Sequence, residues 1–172
     1  IAGISRASPR ELALITGIGT AGAARIAAAF ELGRRVVDLS HHRQSLARPE
    51  DVYRVLAPRF AGLTQELFIA VGMDVRNGLL DAVEIARGSV ASVEVHPREV
   101  FRPLIRMAAA GAVLVHNHPT GDPSPSPEDV ELTRRLRRVG RLIGIPIVDH
   151  VIIGDRQYCS ICEWLGPMLD RG

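Results

Sequence analysis

Aromatic residues make up only 4% of these 172 residues, which leaves few platforms on which single-stranded nucleic acid could stack. Cysteine is as scarce. Cys159 and Cys162 form a single C-x-x-C, and the lack of a second pair speaks against a four-cysteine zinc site. Alternation over 157–161 reads instead as a strand with Cys159 and Ile161 on one face. No apolar run reaches the roughly 20 residues that a membrane span needs, so no membrane partner is expected. The charge imbalance is small: a net charge of +2 does not by itself point to nucleic acid. The start at Ile1 shows no basic-then-apolar leader pattern, so a cytoplasmic location is expected. The chain does not begin with Met, and we expect it to be a trimmed or cleaved piece.

Apolar residues, at 47%, are sufficient for one buried core, or one domain with a small appendage. The richest segment runs from His116 to Asp129. His116 and His118 are two apart, so on a strand both imidazoles face one way. The apolar run 111–115 before them reads as a buried strand that delivers the pair at its exit, where open α/β sheets place their sites. A turn-rich stretch of Pro, Gly, Ser and Asp follows. Ser126-Pro127-Glu128-Asp129 then reads as a helix start, with Ser as N-cap and Pro at the first helical position. A first-turn Asp129 can still face an ion. Two imidazole nitrogens, one carboxylate oxygen and an open fourth position describe a catalytic zinc site with His116, His118 and Asp129 as ligands.

Two regions flank a division near residues 36–50: a helical segment over 1–40 and an α/β domain over 48–172. In the first, Ser8-Pro9-Arg10-Glu11 is a capping box, Gly17-Ile18-Gly19 breaks the helix, and Ala21 to Arg35 forms a second helix. That order has the shape of a helix-hairpin-helix module, whose glycine hairpin can hold a DNA phosphate on backbone N–H groups. Against this, no Lys or Arg falls between Leu12 and Ala24, and only one hairpin is present. The adjacent His41 and His42 lie in the linker 38–45 and read as solvated.

The second region predicts a short helix from Pro49 ending before Pro58, and a strand from Glu66 to Met73. An Asn77-Gly78 hairpin turn leads to a partner strand over Leu79–Ala86. A helix from Pro97 to Ala110, the histidine strand and a helix from Pro127 to about Leu142 follow. Strands 145–153 and 157–161 close the sheet. The last helix carries Arg134, Arg135, Arg137, Arg138 and Arg141 on a solvated face, opposite a buried stripe of Leu132, Leu136, Val139 and Leu142.

Hydrolysis at such a site needs a base outside the ligand set. The helical H-E-x-x-H arrangement is absent, so the base comes from elsewhere. Glu66, Glu84, Glu94 and Glu99 precede the histidines, and residue chemistry alone does not choose among them. Asp149 and His150 read either as supports of the site or as strand-edge residues.

The order His-x-His, seven residues, Ser, two residues, Asp resembles the JAMM motif of MPN-type zinc metalloproteases. The wording His116-Asn117-His118-Pro119-Thr120-Gly121-Asp122-Pro123 resembles RadC-like proteins (the UPF0758 family) more closely still. So do Val95-His96-Pro97-Arg98-Glu99, Gln65-Glu66-Leu67-Phe68, and Asp149-His150-Val151-Ile152-Ile153 with Tyr158 and Ser160. Thr120 stands where Ser is more usual, and Ser89 where Thr is; neither touches an expected ligand. The resemblance implies an MPN (cytidine-deaminase-like) mixed sheet flanked by helices, preceded by the small helical segment. It implies a zinc-dependent hydrolase acting on amide or isopeptide bonds of a protein or peptide, with Glu66 as general acid/base and Ser126 as donor to the developing oxyanion. The alternative is a metal-dependent nuclease or DNA-repair accessory that binds DNA through Gly17-Ile18-Gly19. The tripeptide His-Asn-His is not an HNH nuclease signature, because those sites spread their histidines over a hairpin and a helix.

Overall fold

The computed structural model describes residues 3–41, 44–88 and 95–170. The chain divides into two compact units, Ile1–Arg43 and Gln44–Gly172.

In the first unit, α1 (Pro9–Ala13) starts on Ser8, whose side chain accepts from the Glu11 N–H while the Glu11 carboxylate accepts from the Ser8 N–H. The second helix, α2 (Gly19–His41), begins two residues earlier than predicted and continues through much of the expected linker. Gly17 and Gly19 both hold positive φ, 90° and 63°, so the turn between the helices is made in left-handed conformations that side chains disfavour. The expected linker residue His42 lies outside the described residues.

The second unit is a five-stranded mixed sheet in the order β2-β1-β3-β4-β5. Its strands are β1 (Glu66–Met73), β2 (Leu79–Gly88), β3 (Gly111–Asn117), β4 (Ile147–Ile153) and β5 (Tyr158–Ser160). Among these strands only β3 and β4 pair in parallel. Helices cover both faces, which is why β1 and β3 read as continuous apolar runs. On one face Leu67, Ile69, Val71, Val113 and Val115 pack with Val52, Leu56 and Phe60 of α3 (Pro49–Phe60). On the other, Phe68, Ala70, Ala112 and Leu114 pack with Val100, Phe101 and Leu104 of α4 (Pro97–Arg106) and Leu132 and Leu136 of α5 (Pro127–Ile143). His116 belongs by alternation to this second face.

Several boundaries differ from the sequence reading. Helix α3 continues through Pro58, because Phe60 in its last turn is buried against the sheet and the proline removes only one hydrogen bond. Helix α4 stops at Arg106, before a left-handed Ala108. Strand β4 begins after Pro146, which lacks an N–H for the ladder. Strand β5 ends at Ser160, whose hydroxyl accepts from the Glu163 N–H and starts a helix, α6 (Ile161–Leu165), that alternation hid. Cys159 and Cys162 therefore sit on different elements, both as free thiols.

The α5 stripe is also corrected. Leu142 is 86% exposed, while Asp129, Leu132, Thr133, Leu136 and Gly140 face inward. A helix at 100° per residue carries the 129-133-136-140 row past position 142. Gly140 permits this contact, since a Cβ there would meet the Ile145 carbonyl oxygen at 2.6 Å. The basic face does more than meet solvent. Arg134 donates to the carbonyls of Met168 and Leu169, Arg135 to Val95 and Arg137 to Ile147.

Candidate metal centre

Strand β3 ends at the histidines, and its exit is held in three ways. The His118 N–H donates to the Ile153 carbonyl of β4 (3.0 Å). The Asn117 side chain bonds both the Leu67 N–H (2.8 Å) and the Gln65 carbonyl (3.2 Å), prolonging the β1–β3 pairing beyond its last backbone pair, Phe68 and His116. The loop after His118 then folds onto the β4–β5 turn, where the Gly121 carbonyl accepts from the Asp155 N–H and the Gln157 amide. Gly154 has to be glycine for that approach: a Cβ there would collide with the Gly121 carbonyl oxygen.

Helix α5 brings Asp129 to the same point. Ser126 caps it and Asp129 completes the capping box. One carboxylate oxygen, Oδ2, accepts from the Ser126 N–H (2.9 Å) and from its hydroxyl (2.6 Å). Oδ1 lies 3.1 Å from His116 Nε2, and Oδ2 lies 3.4 Å from His118 Nε2. The two Nε2 atoms are 3.0 Å apart. His116 and Asp129 are buried and His118 is half-buried.

Donor chemistry fixes one tautomer directly. His118 Nδ1 lies 2.8 Å from the Asp122 carbonyl, which can only accept, so Nδ1 carries a proton and Nε2 is left to face the cluster. The Asp129 carboxylate beside it raises the His118 pKa, and burial opposes that rise. Burial alone would push the Asp129 carboxyl up; the imidazoles of His116 and His118 beside it and the hydrogen bond from Ser126 outweigh it and hold the group well below the usual carboxylate range. Asp129 is therefore an anion at neutral pH.

These separations match a metal. Tetrahedral zinc with bonds near 2.0–2.1 Å sets its ligand atoms about 3.3 Å apart. The two Nε2 atoms are 3.0 Å apart, and each has its own Asp129 oxygen nearby, Oδ1 at 3.1 Å from His116 and Oδ2 at 3.4 Å from His118, so one ligand atom from each residue lies within 4.8 Å of the others. The His116–His118–Asp129 group can hold a metal ion.

The register also separates Glu66 from Glu84. Phe68 pairs with His116, so Glu66, two residues before Phe68, shares the face and strand end of His118, two residues after His116. The Glu66 charge contributes to the raised pKa of His118, and Glu66 lines a cleft of about 260 Å³ with Thr64, Gln65, Gly88 and Pro119. Glu84 pairs across from Ile69, on the opposite face, and its carboxylate binds Arg87. Glu99 is engaged by Arg98 and Arg102 on α4. Glu94 lies outside the described residues.

Two neighbours carry more weight than the sequence reading gave them. His150 is no strand-edge residue: β4 is an interior strand and the imidazole is fully buried, 2.8 Å from His116 Nδ1. Thr133, which drew no attention, stands 2.6 Å from His150 Nδ1. A signal existed, since Thr133 is four residues after Asp129 and so on the same helix face. Asp149 accepts from the His150 N–H, the Ser160 hydroxyl and the Cys162 N–H, which ties β4 to the start of α6.

A larger cleft of about 510 Å³ opens beside His118, lined by Tyr53, Arg54, Phe60, Leu63, Gly154 and Arg156 among others. Tyr53 stacks on Tyr158 with ring centroids 4.9 Å apart.

Among the described residues, no helix is long and apolar enough to cross a membrane. The profile of the RadC-like JAB domain matches residues 46–166. A UPF0758 protein of Bacillus cereus is 46% identical over 158 residues, covering 91% of this chain and 70% of the relative. UPF0758 proteins of Bacillus anthracis and Bacillus thuringiensis subsp. konkukian are 45% identical over the same coverage. With the JAB domain spanning the whole mixed sheet and the histidine–aspartate cluster inside it, this chain belongs to the RadC-like (UPF0758) family.

Proposed function

We propose that this protein is a zinc-dependent hydrolase that cleaves amide or isopeptide bonds in a protein or peptide substrate. The observation that carries the proposal is the convergence of His116 Nε2 and His118 Nε2, 3.0 Å apart, on the Asp129 carboxylate, whose Oδ1 lies 3.1 Å from the first and Oδ2 3.4 Å from the second. An anion and two imidazole nitrogens so close can share a cation, and two nitrogens with one carboxylate are a donor set that suits zinc. Zinc held there supplies a Lewis acid that polarises a carbonyl and makes water a nucleophile near neutral pH.

The rest belongs to the chain. Glu66 takes the proton of the attacking water and returns it to the departing nitrogen. Its place on the His118 side of the sheet supports that role. Ser126 donates to the developing oxyanion. Its hydroxyl proton rests on Asp129 Oδ2 at 2.6 Å, so this second role requires the hydroxyl to rotate away from Asp129. The cleft beside His118 receives the substrate, with Tyr53 and Phe60 offering apolar contact and Arg54 and Arg156 at its wall.

The test compares zinc-loaded wild type with Glu66→Gln on amide- and isopeptide-linked fluorogenic peptides. Glu66→Gln should keep its zinc and lose about 100-fold or more in rate. A wild-type rate in Glu66→Gln, or no cleavage of either linkage by zinc-loaded wild type, would overturn the proposal.

A second reading draws on the first unit. The helix, left-handed glycine turn and helix from α1 to α2 suit a DNA phosphate, and the first turn of α2 carries no acidic residue. In that reading the chain is a metal-dependent nuclease or a DNA-repair accessory. It predicts DNA binding that weakens steeply with salt, and chemistry supported by magnesium or manganese rather than zinc.

A further inference from the structure

We infer that Thr133 and His150 form a relay of hydrogen bonds that locks His116 in the one tautomer able to bind a metal. The inference rests on the metal reading of the His116–His118–Asp129 cluster and names two residues that position it.

The relay starts at a group whose role is fixed. The backbone carbonyl of Asp129 only accepts, and Thr133 Oγ1 lies 2.6 Å from it. The single hydroxyl proton of Thr133 therefore points to Asp129. Thr133 Oγ1 also lies 2.6 Å from His150 Nδ1. Its proton is already committed, so the hydroxyl accepts and Nδ1 of His150 donates. His150 is fully buried, with its two ring nitrogens against Thr133 and His116 and no solvent to support a charge, so the ring is neutral. A neutral ring protonated on Nδ1 presents a lone pair on Nε2. His116 Nδ1, 2.8 Å from that lone pair, must donate. The proton of His116 is thereby placed on Nδ1, and its Nε2 lone pair is turned toward Asp129 and His118.

The opposite wiring fails at one contact. If His150 donated from Nε2, its Nδ1 would accept from Thr133. The Thr133 and Asp129 oxygens would then face each other at 2.6 Å with no proton between them. No water corrects this cheaply, because Thr133, His150 and His116 all have no exposed surface. Phe68 closes the remaining side, with its ring 6.0 Å from His116 and edge-on to His150 at 5.5 Å.

The arrangement gives Asp129 two jobs at opposite ends of one residue. Its carboxylate faces the cluster, and its carbonyl sets the direction of the relay that orients His116. Groups that bond a ligand imidazole on its other nitrogen typically change metal affinity by about 10- to 100-fold when removed.

Two measurements test the relay. Nitrogen-15 NMR of the histidine rings in metal-free protein at mildly alkaline pH reads the tautomer directly, and His116 should carry its proton on Nδ1. Zinc affinity, read by competition with a chromophoric chelator, should fall about 10- to 100-fold in Thr133→Val and return toward wild type in Thr133→Ser, which keeps the hydroxyl. A wild-type His116 protonated on Nε2 overturns the relay. So does a Thr133→Val protein with a native NMR spectrum that binds zinc within twofold of wild type. Because the ring spectrum needs no metal, a wild type that takes no zinc but shows Nδ1–H on His116 overturns the metal reading and supports the wiring.

Discussion

Replacing Ser126 by Ala removes two interactions at the point where the helix cap meets the candidate ligand. The Asp129 N–H loses its acceptor at 3.1 Å, and Asp129 Oδ2 loses a hydroxyl donor at 2.6 Å. Loss of an N-cap typically costs about 1 kcal/mol. A hydrogen bond to a charged acceptor contributes about 1.5–3 kcal/mol. The Ser126 N–H still donates to Oδ2 at 2.9 Å, so Asp129 is not stranded. We therefore place the combined loss toward the lower end, about 2–3 kcal/mol. For a chain of this size that corresponds to a fall in Tm of roughly 5–10 °C. Urea denaturation of metal-free protein at neutral pH measures it, with Ser126→Thr as the control that keeps the hydroxyl. A loss below about 0.5 kcal/mol, the range of neutral surface changes, would refute the cap-and-ligand reading. Equal losses in the Ala and Thr variants would refute it as well.

Other expectations follow from the same groups. In metal-free protein the His118–Asp129 pair makes stability depend on pH from both sides. The raised His118 pKa gives a contribution that is full below about 6.5 and fades as pH rises through the folded value. The lowered Asp129 pKa gives one that is present above about 4 and fades as the pH falls. Urea midpoints should therefore peak between those limits, while zinc affinity should increase with pH, because the ion must displace the His118 proton. Midpoints that rise steadily from pH 5 to pH 8 in the metal-free protein would contradict this. Burial and the nearby Asp149 push the Cys162 thiol up to about 12. Iodoacetamide should accordingly label Cys162 far more slowly in native than in unfolded protein at neutral pH, as read by mass spectrometry. Rapid native labelling of Cys162 would revive the C-x-x-C as a reactive pair.

Local chemistry was the part of this fold that the sequence made legible. Ser126-Pro127 announces the start of α5, Asn77-Gly78 turns the hairpin, and the His116-x-His118 spacing works because a strand alternates. The run 111–115 reads as a buried strand because helices cover both faces of the sheet. What depends on distant partners was harder to see. Glu66 falls on the face and strand end of His118 only through the β1–β3 register, which the Asn117 side chain prolongs. His150 gains its meaning from standing beside His116 across β3 and β4. Leu142 reads as buried from its spacing, yet the helix turns it to solvent because the row through Thr133 and Gly140 meets the sheet. Helix α6 was hidden because Ser160 ends a strand and caps a helix at the same residue.

The central claim is that His116, His118 and Asp129 hold a zinc ion. Metal analysis of purified protein, loaded with zinc and freed of excess, tests it most directly. Wild type should retain one zinc per chain, and His116→Ala, His118→Ala and Asp129→Ala should each lose it while remaining folded by circular dichroism. Wild type without zinc, or the same zinc content in the three variants, would contradict the account.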